Sequence, residues 1–290
     1  MRVRIIANPG SGSGRGPRSA RLARRKLEAW GWEADLDLTE SIGHARQLAS
    51  DSSTTYDRVL VCGGDGTVNQ VASGLAGSRT ALGVLPSGRG NDLARALGIP
   101  TDPEDAIEAF RNGVVRSMDL GRIGAGYFLT VVGVGFDAFV ADRVRRGIWR
   151  YGGGWSYTVG VLRHLFGYRS PHMTISGSFG RIERECFLAA VSNTGIYGGG
   201  IRIAPDSRFD DALLDVCLVE DAPRFRLLRV FPAAFRGGHV QHREVEMLRS
   251  PTVRIETEEP VPVVADGEPA GTTPVDLSVD PCALRVVAAQ

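Results

Sequence analysis

Residues 58–69 read Arg-Val-Leu-Val-Cys-Gly-Gly-Asp-Gly-Thr-Val-Asn, an apolar run that ends abruptly in glycines. The short apolar run at residues 59–62 is typical of a strand that is buried on both faces. Residues 67–75, which follow the glycines, have the apolar period of a helix. A buried strand that leads through a glycine turn into a helix predicts a parallel sheet covered by helices.

The same alternation continues on both sides of this stretch. Further strand patterns lie at residues 3–7, 34–38 and 81–85, and helical patterns lie at residues 18–30, 43–49, 91–97 and 103–111. Strands that alternate with helices imply right-handed crossovers. We therefore predict an α/β domain with a parallel sheet at residues 1–116.

After residue 116 the pattern changes to short strands separated by turns. Helical patterns interrupt these strands only near residues 138–146, 155–166 and 225–235. Many short strands with turn signals predict a second, β-sandwich-like domain at residues 117–290. Two domains also suit a length of 290 residues, since a domain averages about 150 residues.

Composition and charge exclude several classes of protein. The chain is 43% hydrophobic and 23% charged, which is ordinary for a globular protein, and its net charge of +1 gives no general attraction to nucleic acid. No stretch approaches 18 apolar residues, and the apolar run at the N-terminus is too short for a signal peptide. We expect a cytoplasmic protein with buried, reduced thiols, because its cysteines lie apart in apolar runs: Cys62, Cys186, Cys217 and Cys282.

Glycine and lysine are present in unusual numbers. The chain has 37 glycines, against about 20 at the usual ~7%. Among 34 basic residues, Lys26 is the only lysine. A Walker-type phosphate loop needs a lysine directly after its glycines, and Lys26 follows none. A phosphate site in this chain would therefore use backbone amides and arginine.

The glycines cluster in three loops, each directly after a predicted strand. These loops are Asn-Pro-Gly-Ser-Gly-Ser-Gly at residues 8–14, Gly-Gly-Asp-Gly-Thr at residues 63–67 and Pro-Ser-Gly-Arg-Gly-Asn-Asp at residues 86–92. Because parallel strands end at one edge of the sheet, we expect the loops to meet there. Each loop leads into a helix, whose first N–H groups attract an anion. The loops predict a nucleotide phosphate site; the alternative is that they are only tight turns.

Asp65 lies inside the second loop, where an acidic residue would repel phosphate on its own. We expect the Asp65 carboxylate to hold Mg²⁺ or its waters against the phosphates. Thr67 and Asn69 are expected to cap the following helix and to contact phosphate oxygens. The alternative is that Asp65 is only a turn residue.

Together these motifs resemble the catalytic domain of the diacylglycerol kinase family, which includes bacterial soluble lipid kinases and sphingosine kinases. The matching segments are Asn8-Pro9-x-Ser11-Gly12, Gly63-Gly64-Asp65-Gly66-Thr67-Val68-Asn69 and Pro86-x-Gly88-x-x-Asn91-Asp92-x-Ala94-Arg95. Residues 210–215 and 266–268 match as well, so the resemblance covers nearly the whole chain in order. Gly-Gly-Asp-Gly-Thr alone is less specific, since NAD kinases also carry it.

The resemblance implies that ATP lies between the two domains, with the nucleotide bound by residues 1–116 and the lipid by residues 117–290. Arg89 replaces a threonine that is common in the family, which leaves its role open. The implied nucleotide contacts are Asn8, Pro9, Gly10, Ser11, Gly12, Thr39, Gly63, Gly64, Asp65, Gly66, Thr67, Val68, Asn69, Arg89, Asn91 and Asp92.

Two further roles follow from the resemblance. Glu268 would be the general base that takes the proton from the lipid hydroxyl, and the alternative is a polar residue in a hairpin turn. A structural Mg²⁺ would be held by the carboxylate of Asp211 and the carbonyls of Arg208 and Leu213. The alternative is a solvated acidic turn.

The expected function is that of an ATP- and Mg²⁺-dependent lipid kinase acting on diacylglycerol or a similar lipid, at the membrane surface during turnover. Arginines mixed with aromatic residues at residues 143–169 are consistent with membrane contact, and equally with a domain interface. Two alternatives remain: an NAD kinase-like enzyme with a soluble substrate, and an inactive nucleotide-binding regulator. The sequence leaves the acyl chains and the oligomeric state open, a homodimer included.

Overall fold

The computed structural model describes residues 1–145 and 164–289. Residues 155–163 of the predicted helix at residues 155–166, and most of the arginine and aromatic cluster at residues 143–169, therefore lie outside the described residues. None of the helices in the described ranges is both long and apolar enough to cross a bilayer.

Helices and strands alternate in the first part of the chain, and strands dominate the second. The helices are α1 (Arg15–Ala29), α2 (His44–Ser52), α3 (Asp65–Leu75), α4 (Asp92–Ala96), α5 (Pro103–Asn112), α6 (Phe136–Arg145) and α7 (Arg224–Ala234). The strands are β1 (Arg2–Ala7), β2 (Glu33–Leu38), β3 (Arg58–Gly63), β4 (Ala81–Pro86), β5 (Val114–Ile123), β6 (Gly126–Phe128), β7 (Val131–Gly135), β8 (His172–Gly177), β9 (Gly180–Ser192), β10 (Ile196–Tyr197), β11 (Ile201–Arg202), β12 (Leu214–Glu220), β13 (Val245–Ser250), β14 (Thr252–Thr257), β15 (Pro262–Ala265), β16 (Glu268–Thr272) and β17 (Val275–Ala288).

The N-terminal region is a parallel sheet in the order β2-β1-β3-β4. Its central strands are continuous apolar runs: every residue of β4 is buried, and every residue of β3 after Arg58 is buried. The register pairs Ala7 with Cys62, and Gly63 with Pro86. The three glycine loops therefore leave the sheet at the same edge, and the predicted α/β fold is confirmed.

The C-terminal region consists of antiparallel strands that enclose a second core. One layer contains β7, β9, β12, β13, β15 and β16, and the other contains β5, β6, β8, β14 and β17. The first half of β9 pairs with β8, so the long strand β9 joins the two layers. Side chains from both layers are buried against each other, for example Val134 and Val216 with Ile175 and Ile255. The predicted β-sandwich-like architecture is confirmed.

The last strand connects the two regions. β17 pairs antiparallel with β5 and β14, and its end pairs parallel with β4 through Arg285–Ala81 and Val286–Leu82. The predicted boundary at residues 116 and 117 falls inside β5, which runs alongside β17. The division into residues 1–116 and 117–290 stays a prediction, and the C-terminal strand adds to the N-terminal sheet.

Three of the four cysteines occupy the predicted environment. Cys62, Cys186 and Cys217 are buried, whereas Cys282 is exposed. Cys282 lies where the β5–β17 register shifts, and its φ of +54° turns it out of the regular strand. The expectation of a buried thiol is therefore wrong for Cys282.

Asp137, in the first turn of α6, is a carboxyl group packed within the protein. Its Oδ1 accepts the N–H of Ala138 at 2.7 Å. Its Oδ2 packs closely against Gly133, because a β-carbon added to that glycine would lie only 2.1 Å from this oxygen. Burial raises the pKa of Asp137 to about 6. The raised pKa means that the folded state disfavours the charged form.

Asp137→Asn should therefore stabilise the protein at high pH. The folded pKa lies above the unfolded one, so wild-type stability falls as the pH rises from about 4 to about 6. The asparagine variant lacks this loss and should be more stable by up to about 3 kcal/mol at pH 8, with no gain near pH 4. Urea unfolding at both pH values measures the difference. An equal difference at the two pH values would contradict the raised pKa.

Candidate active site

The three glycine loops meet at the carboxyl edge of the parallel sheet. The N–H of Asn8 donates to the carbonyl of Cys62 at 3.2 Å, and the N–H of Ser87 donates to the carbonyl of Gly63 at 3.2 Å. The side-chain amide of Asn8 also donates to Oγ1 of Thr67 at 3.0 Å. The juxtaposition predicted from the strand–loop pattern is therefore present.

Glycine is required where these loops touch each other. Gly12 has a φ of +57°, and a Cβ on it would lie 2.1 Å from the carbonyl oxygen of Ser87. A Cβ on Gly88 would lie 2.7 Å from the Cα of Gly64. The loops thus pack backbone against backbone, which brings amide groups from different loops close together.

Amides and arginines supply the positive potential at this edge. α3 begins at Asp65, and the N–H groups of Thr67 and Val68 already donate to the carbonyl of Gly64 at 2.9 and 3.0 Å, so the unpartnered N–H groups expected at the start of the helix are those of Asp65 and Gly66. Arg15 donates through Nε to the carbonyl of Gly12 at 3.1 Å, and Arg95 donates to the carbonyl of Gly90 at 3.0 Å. Arg89 is exposed, and its side chain makes no hydrogen bond or ion pair among the residues described. Arg15, which the motif pattern missed, is identifiable only as a basic residue directly after the first loop.

Asp65 links the second loop to the third. Its Oδ2 accepts the N–H of Asn91 at 3.0 Å, and its Oδ1 accepts the N–H of Asp92 at 2.9 Å. Asn91 has a φ of +53°, and its side chain bonds both the N–H and the carbonyl of Gly88. The Asp65 carboxylate therefore fixes the start of α4 as well as facing the loop edge.

Asp92 is a second carboxyl group at the same position. It is buried, and its Oδ1 accepts the N–H of Gly199 at 2.9 Å. Burial, followed by the nearby negative charge of Asp65, raises the pKa of Asp92 to about 6. Two adjacent carboxylates of this kind suit a divalent cation, whose charge relieves their repulsion. The residues at Asp65 and Asp92 therefore fit the predicted Mg²⁺.

Asp266 joins the C-terminal region to this edge. Its Oδ2 accepts the N–H of Leu129 and the amide of Asn69, each at 2.8 Å. Its Oδ1 accepts the N–H of Thr130 at 2.8 Å and the Thr130 hydroxyl at 2.7 Å. The Asp266 carboxylate thus ties α3 to the connection between β6 and β7. The sequence pattern contained Asp266 only as part of a motif and assigned it no role.

Glu268 follows in the same turn. It begins β16 and pairs with Ala265 across a hairpin that contains Asp266 and Gly267, both with positive φ. The Glu268 side chain is exposed, and no hydrogen bond holds it within the described part of the chain. A solvated carboxylate on an anchored turn is available to accept a proton.

Three of these acidic residues line a narrow cleft between the two regions. Asp65, Asp92 and Asp266 line it together with Val68 and Leu129, and its volume is about 10 Å³. That space admits about one water molecule. A larger cavity of about 550 Å³ lies between β8, β14 and β17, away from every predicted site residue.

Two other predicted nucleotide contacts, Thr39 and Asn69, already form hydrogen bonds with other parts of the protein. Thr39 follows β2, and its N–H donates to the carbonyl of Ala7 at 2.9 Å. Asn69 donates to Asp266 and to the carbonyl of Tyr127 at 3.0 Å. The predicted capping of α3 by Thr67 and Asn69 is wrong, because Gly64 occupies the N-cap and no side chain caps the helix.

The predicted structural metal site is a turn held by polar contacts. Oδ1 of Asp211 accepts the N–H of Leu213 at 3.2 Å, and its Oδ2 lies 3.5 Å from Nη1 of Arg249. The buried Asp119 accepts the N–H of Ala212 at 2.7 Å and thereby orders the same turn. The described residues contain no cluster of three or more His, Cys, Asp or Glu around one point. The predicted site uses one carboxylate and two backbone carbonyls, so the absence of such a side-chain cluster does not bear on it. The structural Mg²⁺ at Asp211 stays a prediction.

Comparison with known sequences identifies both regions. The pattern of the diacylglycerol kinase catalytic domain matches residues 2–123, and that of the YegS C-terminal NAD kinase beta sandwich-like domain matches residues 130–288. A diacylglycerol kinase from Mycobacterium tuberculosis (strain ATCC 25618 / H37Rv) is 36% identical over 298 residues, covering 99% of this chain and 94% of that protein. A diacylglycerol kinase from Bacillus subtilis (strain 168) is 31% identical, covering 94% of this chain and 91% of that protein.

Solved structures share the fold. Two chains from Bacillus anthracis str. Sterne match 99% of this chain with TM-scores of 0.80 and 0.74, at 23% and 22% identity. The match covers 97% of the first chain and 96% of the second, which is described as a diacylglycerol kinase. At this identity the structures bear on the fold alone. With both sequence patterns and close relatives in agreement, the chain belongs to the diacylglycerol kinase family and is a kinase.

Proposed function

We propose that this protein transfers the γ-phosphoryl group of ATP, with Mg²⁺, to the hydroxyl of diacylglycerol or a similar lipid. The observation that carries the proposal is one cleft with two sides. On one side lie the glycine loops with Asp65 and Asp92, and on the other lies the turn that bears Asp266 and Glu268. Relatives named diacylglycerol kinase support the lipid acceptor.

The nucleotide phosphates would bind to the loop amides. The N–H groups at the start of α3 and other backbone N–H groups of the loops at residues 8–14 and 63–67 would donate to phosphate oxygens. Arg15 and Arg95 lie against the first and third loops, and Arg89 is free of intramolecular bonds in the part of the chain that is described. These guanidinium groups would supply the positive charge that a lysine supplies in a Walker loop.

Asp65 and Asp92 would hold the catalytic Mg²⁺ directly or through its waters. When bound, Mg²⁺ neutralises charge on the β- and γ-phosphate oxygens. Asp65 is kept in position by the N–H groups of Asn91 and Asp92, and Asp92 by the N–H of Gly199. A second Mg²⁺ at Asp211 with the carbonyls of Arg208 and Leu213 would have a structural role.

Glu268 would act as the general base. Its carboxylate would accept the proton of the lipid hydroxyl while the hydroxyl oxygen attacks the γ-phosphorus. Asp266, two residues earlier, receives four hydrogen bonds of 2.7–2.8 Å, which fix the turn relative to α3. The base is thus positioned through the same contacts that join the two regions. Turnover would take place with the cytoplasmic protein at a membrane surface.

Labelled ATP identifies the acceptor. The full-length protein should be incubated with Mg²⁺, ATP labelled in the γ-phosphate, and separate micelles of diacylglycerol, sphingosine and monoacylglycerol, with NAD in a parallel reaction. We expect label in the organic phase with diacylglycerol and a loss of label transfer when Mg²⁺ is chelated. Label on NAD alone would support a soluble substrate and would refute the lipid kinase. No transfer to any acceptor would favour a regulator.

A further inference from the structure

α7 has a buried apolar face and a second, exposed one. Leu227, Val230 and Ala234 are buried and face the protein interior. A row of exposed large side chains runs along the other face and ends at the C-cap residue Phe235. Its members are three or four residues apart, with exposed fractions of 59%, 37%, 41% and 48%: Phe225, Leu228, Phe231 and Phe235. Four large apolar side chains in one exposed row are more than a monomeric surface usually shows on one helix.

The segment that carries this row contains only basic charges, and acidic residues border it at Asp221 and Glu244. Residues 222–243 contain five arginines and no aspartate or glutamate. Arg224 pairs with Asp221, and Arg226 and Arg243 pair with Glu244. Arg229 and Arg236 are exposed, and neither forms an ion pair among the residues that the structure describes. The exposed face of α7 therefore combines aromatic and aliphatic side chains with unpaired guanidinium groups.

We propose that this face of α7, defined by Phe225, Leu228, Phe231 and Phe235 with Arg229 and Arg236, docks on an anionic lipid bilayer. The aromatic row would enter the boundary between headgroups and acyl chains, and the two guanidinium groups would bind lipid phosphates. The absence of acidic residues in this segment of the chain complements a negatively charged surface. The inference rests on the proposed function, since a lipid acceptor has to be reached from a membrane.

The position of α7 suits this role. Shortly after the helix, Gly237 packs against Pro205. A β-carbon added to Gly237 would lie 2.8 Å from the proline ring. The chain preceding Pro205 contains the β10–β11 hairpin, whose Gly199 donates to Asp92. At the other end of α7, Arg224 donates to the carbonyl of Tyr168 at 2.7 Å, and the nearby Phe166 is 69% exposed. The docking face is thus linked through short segments to the candidate active site.

Vesicle flotation tests the docking face without any need for catalysis. Wild-type protein should float with vesicles of equal parts phosphatidylglycerol and phosphatidylcholine, and should stay behind with phosphatidylcholine alone. Phe225→Ser/Phe231→Ser and Arg229→Gln/Arg236→Gln should each bind the anionic vesicles about tenfold more weakly. Val114→Ser, which changes an exposed valine on β5, and Arg21→Gln/Arg25→Gln on α1 serve as matched controls and should bind like wild type.

Two kinetic measurements separate this inference from the proposed function. The α7 variants should lose turnover of long-chain diacylglycerol in anionic vesicles, yet keep turnover of dioctanoylglycerol in neutral detergent micelles. If wild-type protein phosphorylates neither lipid, the proposed lipid kinase activity is refuted. Vesicle flotation still tests the docking face in that case, because it does not require catalysis. Unchanged flotation of both α7 variants would overturn the docking face. A wild-type dimer that Phe225→Ser/Phe231→Ser converts to a monomer would overturn it as well, since a second copy would then cover the face.

Discussion

Glu268→Gln is expected to lower turnover by about a thousandfold, which is within the range of a lost general base. Glutamine keeps the size and shape of the side chain but cannot accept the proton of the acceptor hydroxyl at neutral pH. The Glu268 side chain is exposed and holds no hydrogen bond within the described residues, so the fold should tolerate the change. Initial rates with dioctanoylglycerol micelles and saturating ATP and Mg²⁺ measure the effect.

A matched control is Glu258→Gln. Glu258 is also exposed, and it lies in the connection between β14 and β15, away from the cleft. This variant should have wild-type turnover, and both variants should bind ATP with wild-type affinity in calorimetry. Near-normal turnover of Glu268→Gln would refute its assignment as the base.

Asp266→Ala is expected to give the largest loss of stability. The substitution leaves the N–H groups of Leu129 and Thr130 and the amide of Asn69 without their acceptor. A buried donor that loses its partner costs about 1–3 kcal/mol. We therefore expect the free energy of unfolding to fall by about 3–5 kcal/mol, with turnover lost because the turn that carries Glu268 is no longer fixed.

The more conservative Asp266→Asn separates positioning from folding. Asparagine keeps one acceptor oxygen, so the variant should fold while its turn is held less firmly. Its kcat should fall more than its affinity for ATP. Asp276→Ala is the control, since Asp276 is exposed and its one ion pair among the described residues is with Arg254, a surface pair worth at most about 1 kcal/mol. Wild-type stability of Asp266→Ala would contradict the anchoring role, as would a wild-type kcat of Asp266→Asn.

The sequence predicts those features of the fold and the site that are determined by residues adjacent in the chain. Strand, glycine loop and helix follow one another within residues 58–75 around Asp65, and parallel strands bring such loops to one edge by geometry alone. The meeting of the three loops follows from this pattern. The hairpin turn at Glu268 was likewise visible as a local turn between apolar runs.

The sequence could not predict contacts made between distant segments. β17 reaches β4 across about 200 residues, and Asp266 bonds Asn69 across 197 residues. No local pattern distinguishes an aspartate that accepts four short hydrogen bonds from one in an ordinary turn. The same holds for Gly199 on Asp92 and for the exposed face of α7, because burial depends on what packs against a residue.

The central claim is that the γ-phosphoryl group of ATP moves to a lipid hydroxyl in this protein. Phosphorus NMR of a single reaction with Mg²⁺, ATP, dioctanoylglycerol and NAD follows every phosphate at once. We predict that the γ-phosphate signal falls while ADP and a lipid phosphomonoester signal rise in equal amounts, and that Glu268→Gln abolishes this exchange. Conversion of the γ-phosphate only to inorganic phosphate, or to a phosphate ester of NAD, would contradict the account.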